Sequence, residues 1–151
     1  MIQRIQSLHL VFALTLMVLT LFLPYALIID TNGNIFKLTA EGVLNQEGEL
    51  LHRTLPLLII IMAISLLIFI TIFLYKKRVL QMRLSIFSIL LMLGSVGLMF
   101  YYIYQFNQTH PGTISYKISL IFPLISSILT FLAFRGIRRD EVLIRSIDRI
   151  R

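Results

Sequence analysis

Four long apolar runs constrain this chain more than any other feature of its sequence. The runs cover residues 8–29, 55–75, 84–104 and 116–134, and Lys117 is the only Asp, Glu, Lys or Arg within them. A helix needs about 20 residues to cross the ~30 Å hydrocarbon core of a bilayer. Lipid offers no partner to an open backbone N–H or C=O, so uninterrupted runs of this length are helical there. The sequence therefore predicts an all-α integral membrane fold, in which one domain (1–151) forms a bundle of four transmembrane helices.

Composition excludes several functional classes. Hydrophobic residues make up 58% of the chain, whereas a soluble domain is nearer about 45–50% apolar. The net charge of +7 would suggest nucleic-acid binding in a soluble protein. Membrane proteins, however, concentrate Lys and Arg in their cytoplasmic segments, so we predict no nucleic-acid partner. The absence of cysteine rules out disulfides, thiolate metal sites and cysteine nucleophiles.

The distribution of basic residues predicts how the helices are threaded. Eleven of the fourteen Lys and Arg residues lie before the first run, in the 76–83 connection or in the 135–151 tail. Short segments rich in Lys and Arg stay in the cytoplasm. We therefore expect both termini inside, with loops 30–54 and 105–115 outside. The first run also exceeds the ~7–15 residues of a signal-peptide core, so we expect it to remain as an uncleaved helix.

The basic inner face is the predicted contact surface for anionic lipid head groups or for a protein partner. In the tail, Arg138, Arg145 and Arg149 fall on one helical face and the isoleucines on the opposite one. Such an amphipathic helix, beginning after a bend at Gly136, suits the inner membrane surface, and a partner-docking helix would show the same pattern. The residues that we predict to make these contacts are Lys76, Lys77, Arg78, Arg83, Arg138, Arg139, Asp140, Glu141, Arg145 and Arg149.

The first outer loop carries signals for a small hairpin. Asn32-Gly33 is a strong tight-turn dipeptide. After it, Ile35, Lys37 and Thr39 alternate with Phe36 and Leu38, as in a short strand. Glu47-Gly48 marks a second turn, and Pro56 suits the start of the second helix. We expect a β-hairpin or meander that rests on the helix ends, because two strands alone are only marginally stable.

Stripes of small residues predict how the helices pack. Small faces let membrane helices approach closely, with hydroxyl groups hydrogen-bonding across the interface. We expect Pro24 and Pro123 to kink their helices. Packing within one bundle is the default interpretation and a homodimer face the alternative, so the oligomeric state stays open. The predicted packing positions are Thr20, Pro24, Ser119, Pro123, Ser126 and Thr130.

Three cytoplasmic segments resemble one known family. They are the start MIQRIQSLHL, the connection FLYKKRVLQMRL and the ending LAFRGIRRDEVLIRSIDRIR. Together they are similar to a family of small four-helix membrane proteins of Bacteroidota, known as domain of unknown function 4293. The resemblance implies a location in the bacterial inner membrane. It implies no activity.

Catalysis finds little support in the residues. Glu49 and His52 in the outer loop are too few for catalytic zinc, which needs three protein ligands, and no phosphate loop or serine elbow is present. We expect no catalytic, metal or cofactor site, and interpret the chain as a non-enzymatic accessory or scaffold subunit. The alternative is a carrier or flippase for a lipid-like molecule, which would use a polar crevice between helices one and four.

Overall fold

Four helices dominate the computed structural model, which describes residues 2–31 and 33–148. They are α1 (Ile2–Phe22), α2 (Leu55–Phe73), α3 (Arg78–Thr109) and α4 (Phe122–Asp148). Within this part of the chain, all four are long and apolar enough to cross a membrane. α1 and α3 each pack against both α2 and α4, so the helices form a closed ring of four.

The helices pack along stripes that repeat at alternating steps of three and four residues. On α2 the buried positions are Leu57, Ile61, Ile64, Ile68 and Thr71. On α3 they are Gln81, Ser85, Ser88, Met92, Ser95, Met99 and Ile103. The step averages 3.5 residues on α2 and about 3.7 on α3, which keeps one face of each helix on its neighbours. The serines of α3 and α4 keep the facing side chains small, which allows close approach.

A five-stranded antiparallel sheet closes one end of the bundle, which we call the sheet end. Its strands are β1 (Ala26–Asp30), β2 (Ile35–Leu38), β3 (Gly42–Leu44), β4 (Leu50–Arg53) and β5 (Gly112–Tyr116), in the order β4-β3-β2-β1-β5. The predicted strand after Gly33 and the predicted turn at Glu47-Gly48 are confirmed. Asn32 of the other predicted turn lies outside the described residues, and the N–H of Gly33 donates to the carbonyl of Asp30 at 2.9 Å. Gly33 and Gly48 each have φ near +83°, a conformation that glycine adopts without steric cost.

The opposite end, which we call the loop end, holds the short α2–α3 connection. A 3₁₀ turn covers Leu74–Lys76, and α3 begins at Arg78. The predicted inner loop 76–83 is therefore too long, because its second half forms the first turns of α3. α3 likewise extends to Thr109, beyond the predicted end at residue 104.

The predicted first helix, 8–29, is wrong at its outer end. α1 ends at Phe22, and β1 follows as the strand between β2 and β5. Pro24 lies just beyond the helix and does not kink it. An apolar run alone cannot distinguish a helix from a buried strand. In β1, Ala26 and Ile28 are fully buried, which accounts for the apolar sequence of this strand.

The second outer loop was also predicted wrongly. Residues 105–115 were expected to be a loop, but they contain the last turns of α3 and most of β5. α4 begins at Phe122 after a 3₁₀ turn at Ile118–Ile121, rather than at residue 116. Pro123 therefore occupies the first turn of α4, where its missing N–H has no intrahelical partner to lose and no kink results.

The predicted bend at Gly136 does not occur. α4 continues through this residue to Asp148, so the tail is the end of α4 and not a separate surface helix. Gly136 serves close packing instead, since a Cβ built on it would lie 2.8 Å from Cγ of Gln6. The side chain of Arg145 and the whole of Arg149 lie outside the described residues.

Candidate functional site: a cleft beneath the sheet edge

A partly enclosed cavity lies where the sheet overhangs the end of α3. It has a volume of about 320 Å³ and opens beside the edge strand β4. Its lining residues are Val43, Leu51, His52, Thr54, Tyr102, Gln105, Phe106, Thr109 and His110. We call this space the sheet-edge cleft.

One face of α3 supplies the floor of the cleft. Tyr102, Gln105, Phe106 and Thr109 follow one another at steps of three, one and three, which places them on one side of a helix. His110 caps this helix, and its N–H donates to the carbonyl of Phe106 at 2.9 Å. Pro111 follows and has no N–H with which to extend the helical bonding.

The sheet supplies the roof. Val43 of β3 pairs with His52 of β4, so both side chains project from the same face of the sheet. Gly42 lies against the carbonyl of His52, where a Cβ would collide with the backbone. Thr54 is buried, and its hydroxyl donates to the carbonyl of Ala40 at 3.0 Å, which fixes the end of β4 over the cleft.

An aromatic cluster joins the roof to the floor. The rings of Phe106 and His110 are stacked, with centroids 4.7 Å apart and an interplanar angle of 11°. Phe36 of β2 packs its ring at 5.3 Å from Phe106 and 5.2 Å from His110. The ring nitrogen Nδ1 of His110 is buried and has no protein hydrogen-bond partner. A buried polar atom without a partner costs about 1–3 kcal/mol, so a bound molecule that supplied one would gain from it.

The hydroxyl of Tyr25, a neighbour of Tyr102 in the cleft wall, is a second polar atom without a hydrogen-bond partner. Tyr25 is fully buried and its hydroxyl has no hydrogen-bond partner within the described structure. Burial, and secondarily the nearby Tyr102, raise the pKa of the Tyr25 phenol well above its usual value. The phenol therefore stays protonated at neutral pH.

The cleft is rich in hydrogen-bond donors. Among the described residues that line it there is no Asp, Glu, Lys or Arg. His52 and His110 are its two imidazoles, and no group of three potential metal ligands occurs in the described part of the chain. The arrangement can bind an oxygen-bearing group through donors.

Three of the predicted basic residues, Arg83, Arg138 and Arg139, line two shallow grooves at the loop end. One groove, of about 360 Å³, runs between α3 and α4 and is lined by Val79, Met82, Arg83, Ile86, Phe134, Arg138, Glu141 and Val142. The other, of about 410 Å³, is lined by Arg135, Arg138, Arg139, Val142 and Leu143. Arg138 borders both grooves. Lys77 is exposed nearby, and the side chain of Lys76 lies outside the described residues.

Asp140 and Arg78 face a different space. Both line a gap of about 20 Å³ between the helix ends, a volume on the scale of one water molecule. Asp140 accepts a hydrogen bond from Nε2 of Gln6 at 2.9 Å. The carboxylate of Asp140 therefore joins α4 to α1.

Three hydroxyls at the predicted packing positions, which the carrier alternative would place along a crevice between α1 and α4, lie in packed surroundings. Thr20, Ser119 and Ser126 are all buried. Ser119 donates to the carbonyl of Pro24 at 2.6 Å and Ser126 to that of Ala13 at 3.2 Å, which ties α1 to the α4 segment. Thr20 donates to the carbonyl of Leu16 in its own helix. Pro123 and Thr130 are buried on the same side of α4.

Sequence reasoning missed the sheet-edge cleft. Tyr102, Gln105, Thr109 and His110 fell at the end of an apolar run or in a supposed loop. The available signal was the stretch YYIYQFNQTH, in which aromatic and amide side chains recur at helical spacing.

The fold and its charge distribution define a class: a ring of four membrane-length helices closed at one end by a small antiparallel sheet. The chain belongs to the family described as Domain of unknown function (DUF4293), whose model matches residues 2–150. No curated protein matches the chain.

Proposed function

We propose that this protein is a multi-pass membrane protein of the bacterial inner membrane that acts as a non-enzymatic accessory or scaffold subunit. Both termini and the loop end face the cytoplasm, and the sheet faces the opposite side. The observation that carries the proposal is the segregation of charge along the bundle. Arg83, Arg135, Arg138 and Arg139 line grooves at the loop end, whereas α2, which connects the two ends, has no charged residue.

The grooves at the loop end suit the head groups of anionic lipids. Arg83 and Arg138 flank a surface whose other walls include Val79 and Phe134. A guanidinium beside an apolar wall can bind a phosphate while the acyl chain follows the helix. Basic pockets between membrane helices on the cytoplasmic side bind lipid head groups in this way.

A scaffold fits the interior better than a carrier does. A carrier needs a polar path between its helices, but Thr20, Ser119 and Ser126 are buried and each donates to a main-chain carbonyl. Two surfaces remain for partners, namely the arginine-lined grooves and the outer face of the sheet. A subunit that holds partners on the two sides of a membrane needs such surfaces and no transport path.

Cysteine labelling tests the orientation, because the chain contains no cysteine of its own. Lys37→Cys on β2 and Lys77→Cys at the loop end each replace an exposed side chain. In right-side-out inner-membrane vesicles, an impermeant maleimide should label Lys37→Cys and spare Lys77→Cys. Inverted vesicles should give the reverse, and the unsubstituted chain is the blank. Labelling of Lys77→Cys in right-side-out vesicles would overturn the orientation.

Co-purification at native expression level tests the scaffold role. A mild-detergent pull-down read by mass spectrometry should recover a stoichiometric partner. The triple variant Arg83→Gln, Arg138→Gln, Arg139→Gln should lose a cytoplasmic partner, while the matched variant Lys37→Gln, Lys117→Gln at the sheet end should keep it. A protein that purifies alone in every case would refute the scaffold proposal.

A further inference from the structure

We infer that the sheet-edge cleft binds an amphiphilic monocarboxylate, a small molecule with one carboxylate head and an apolar body. The inference rests on the shape and chemistry of the cleft and is independent of which side of the membrane the sheet faces. It names a site separate from the arginine-lined grooves at the other end of the bundle.

The cleft has the dimensions of a small-molecule site. Its volume of about 320 Å³ lies at the lower end of the ~300–1,000 Å³ range of ligand pockets. It is walled by two elements that are each held in place independently. Thr54 fixes β4 through its bond to Ala40, and the Phe36–Phe106–His110 cluster fixes the end of α3. The space is therefore preformed.

The polar walls select an oxygen acceptor that carries a single negative charge. Gln105, His52 and His110 can donate hydrogen bonds from the cleft wall. The hydroxyl of Thr109 donates to the carbonyl of Gln105 at 3.4 Å, a long bond that it can exchange for one to a ligand. No carboxylate lines the cleft, so an ammonium group would find no counter-charge there. No Lys or Arg among the described residues lines it either, so a doubly charged phosphate would be poorly neutralised. A carboxylate carries one charge fewer than such a phosphate and can accept hydrogen bonds from several of these donors at once.

The buried nitrogen of His110 points to the position of the head group. Its Nδ1 has no partner from the protein. The backbone N–H of His110 already donates to the carbonyl of Phe106, and its ring stacks on the ring of Phe106. Nδ1 is closed to solvent, so a carboxylate oxygen reaches it only when the ring of His110 turns toward the cleft. The bond to Nδ1–H then completes the hydrogen bonding of this ring. The Nδ1–H tautomer leaves Nε2 as the acceptor.

The apolar walls select the body of the ligand. Val43, Leu51 and Phe106 form the apolar part of the lining, and Leu51 is 54% exposed at the open edge. Covering Leu51 and the edge of Phe106 with an alkyl chain would remove apolar surface from water. A carboxylate without such a body would lose this contribution.

Histidine NMR tests the inference, because the chain has only three histidines and one of them is a built-in control. His52 and His110 line the cleft, while His9 lies on α1 near the loop end. The full-length protein, ¹⁵N-labelled at histidine and held in lipid nanodiscs, would be titrated with laurate. The ring signals of His52 and His110 should shift saturably and that of His9 should not. Dodecylamine, with the same body, and acetate, with the same head group, should leave all three unchanged at equal concentration.

Two variants of cleft residues, compared with one control variant outside the cleft, separate a loss of binding from a folding defect. Thr109→Val keeps the shape of the side chain and removes one donor, and should weaken laurate binding about tenfold, as expected for one hydrogen bond to a charged group. Thr113→Val on β5, outside the cleft, is the matched control and should bind like the parent. His110→Phe retains the aromatic stack without the nitrogen and should also weaken binding.

Three results would overturn the inference. The first is an equal response to dodecylamine and laurate, which would contradict the head-group chemistry. The second is a shift of His9 that parallels those of His52 and His110, which would indicate general partition into the bilayer. The third is an absence of any histidine shift up to millimolar laurate.

Discussion

Gln6, in the second turn of α1, donates a hydrogen bond to Asp140, in the C-terminal part of α4, with Nε2 and Oδ2 2.9 Å apart. The two residues are 134 positions apart in sequence, so this bond joins the beginning of the bundle to its end. Gly136, one turn before Asp140, leaves the space in which the side chain of Gln6 lies. The loop end is thus held by a polar contact for which Gly136 leaves room.

Gly136→Ala should destabilise the protein even though alanine is the better helix former. In an open helix the change would stabilise by about 1 kcal/mol. Here the new Cβ would lie 2.8 Å from Cγ and 3.0 Å from Nε2 of Gln6, and overpacking typically costs about 1–3 kcal/mol. Thermal unfolding in detergent should therefore show a lower Tm. Gly94→Ala, where no atom lies within 4 Å of the new Cβ, should leave the Tm equal or raised.

A double variant identifies the cause of that effect. If Gln6 is the obstacle, Gln6→Ala should cost stability alone, but Gly136→Ala should cost little in the Gln6→Ala background. The two changes would then be strongly non-additive, as expected for residues in contact. Additive losses would contradict the proposed contact.

Much of the bundle could be predicted from the sequence because its signals are local. The apolar runs fixed the number of helices, and stripes such as Ser85, Ser88 and Met92 on α3 follow from the helical period alone. Gly33 and Gly48 marked their turns because glycine tolerates positive φ. Each of these features depends on residues within a few positions of one another.

The sheet and the cleft could not be predicted, because they depend on pairings between distant segments of the chain. The sequence of β1, ALIID, predicts the end of a helix because it continues the apolar run of α1 up to Asp30, although only Ala26 and Ile28 are fully buried. Its partner β5 lies in the connection between α3 and α4, with Ile28 opposite Ile114. No local sequence signal indicates that the two strands pair. The cleft could not be predicted for the same reason. His52 and His110 come to line one cavity only when the sheet packs over the end of α3.

Gly42→Ala should open the roof of the sheet-edge cleft. The new Cβ would collide with the carbonyl of His52 on the neighbouring strand, which forces β3 and β4 apart. Amide hydrogen exchange should then rise selectively at β3 and β4, with a stability loss of about 1–3 kcal/mol. Gly48→Ala meets no atom and strains only a turn with positive φ, so its exchange should rise at that turn alone. Unchanged exchange at β4 in Gly42→Ala would refute the close approach.

Ser119→Ala should destabilise the junction between α1 and the segment that leads into α4. Its hydroxyl donates to the carbonyl of Pro24 at 2.6 Å, and that carbonyl belongs to a residue just past the end of α1. Hydrogen bonds of this kind in membrane proteins contribute about 0.6 kcal/mol on average and up to ~1.7. Ser127→Ala is the control, because Ser127 bonds only within its own helix, to Leu124 at 2.7 Å. Equal losses for the two variants in reversible unfolding would argue against a special role for Ser119.

Tyr25→Phe should stabilise the protein, and the gain should grow at alkaline pH. The hydroxyl of Tyr25 is buried without a partner, so removing it relieves a cost of about 1–3 kcal/mol. Burial also raises the pKa of this phenol above its value in the unfolded chain. The pKa of tyrosine in an unfolded chain is about 10. Above that pH the unfolded state releases a proton that the folded state retains, so stability falls as the pH rises. Measured from pH 8 to 11.5, the parent should lose more stability than Tyr25→Phe, while Tyr104→Phe, an exposed tyrosine on α3, should follow the parent. Parallel pH profiles for Tyr25→Phe and the parent would show that the phenol is not held neutral by burial.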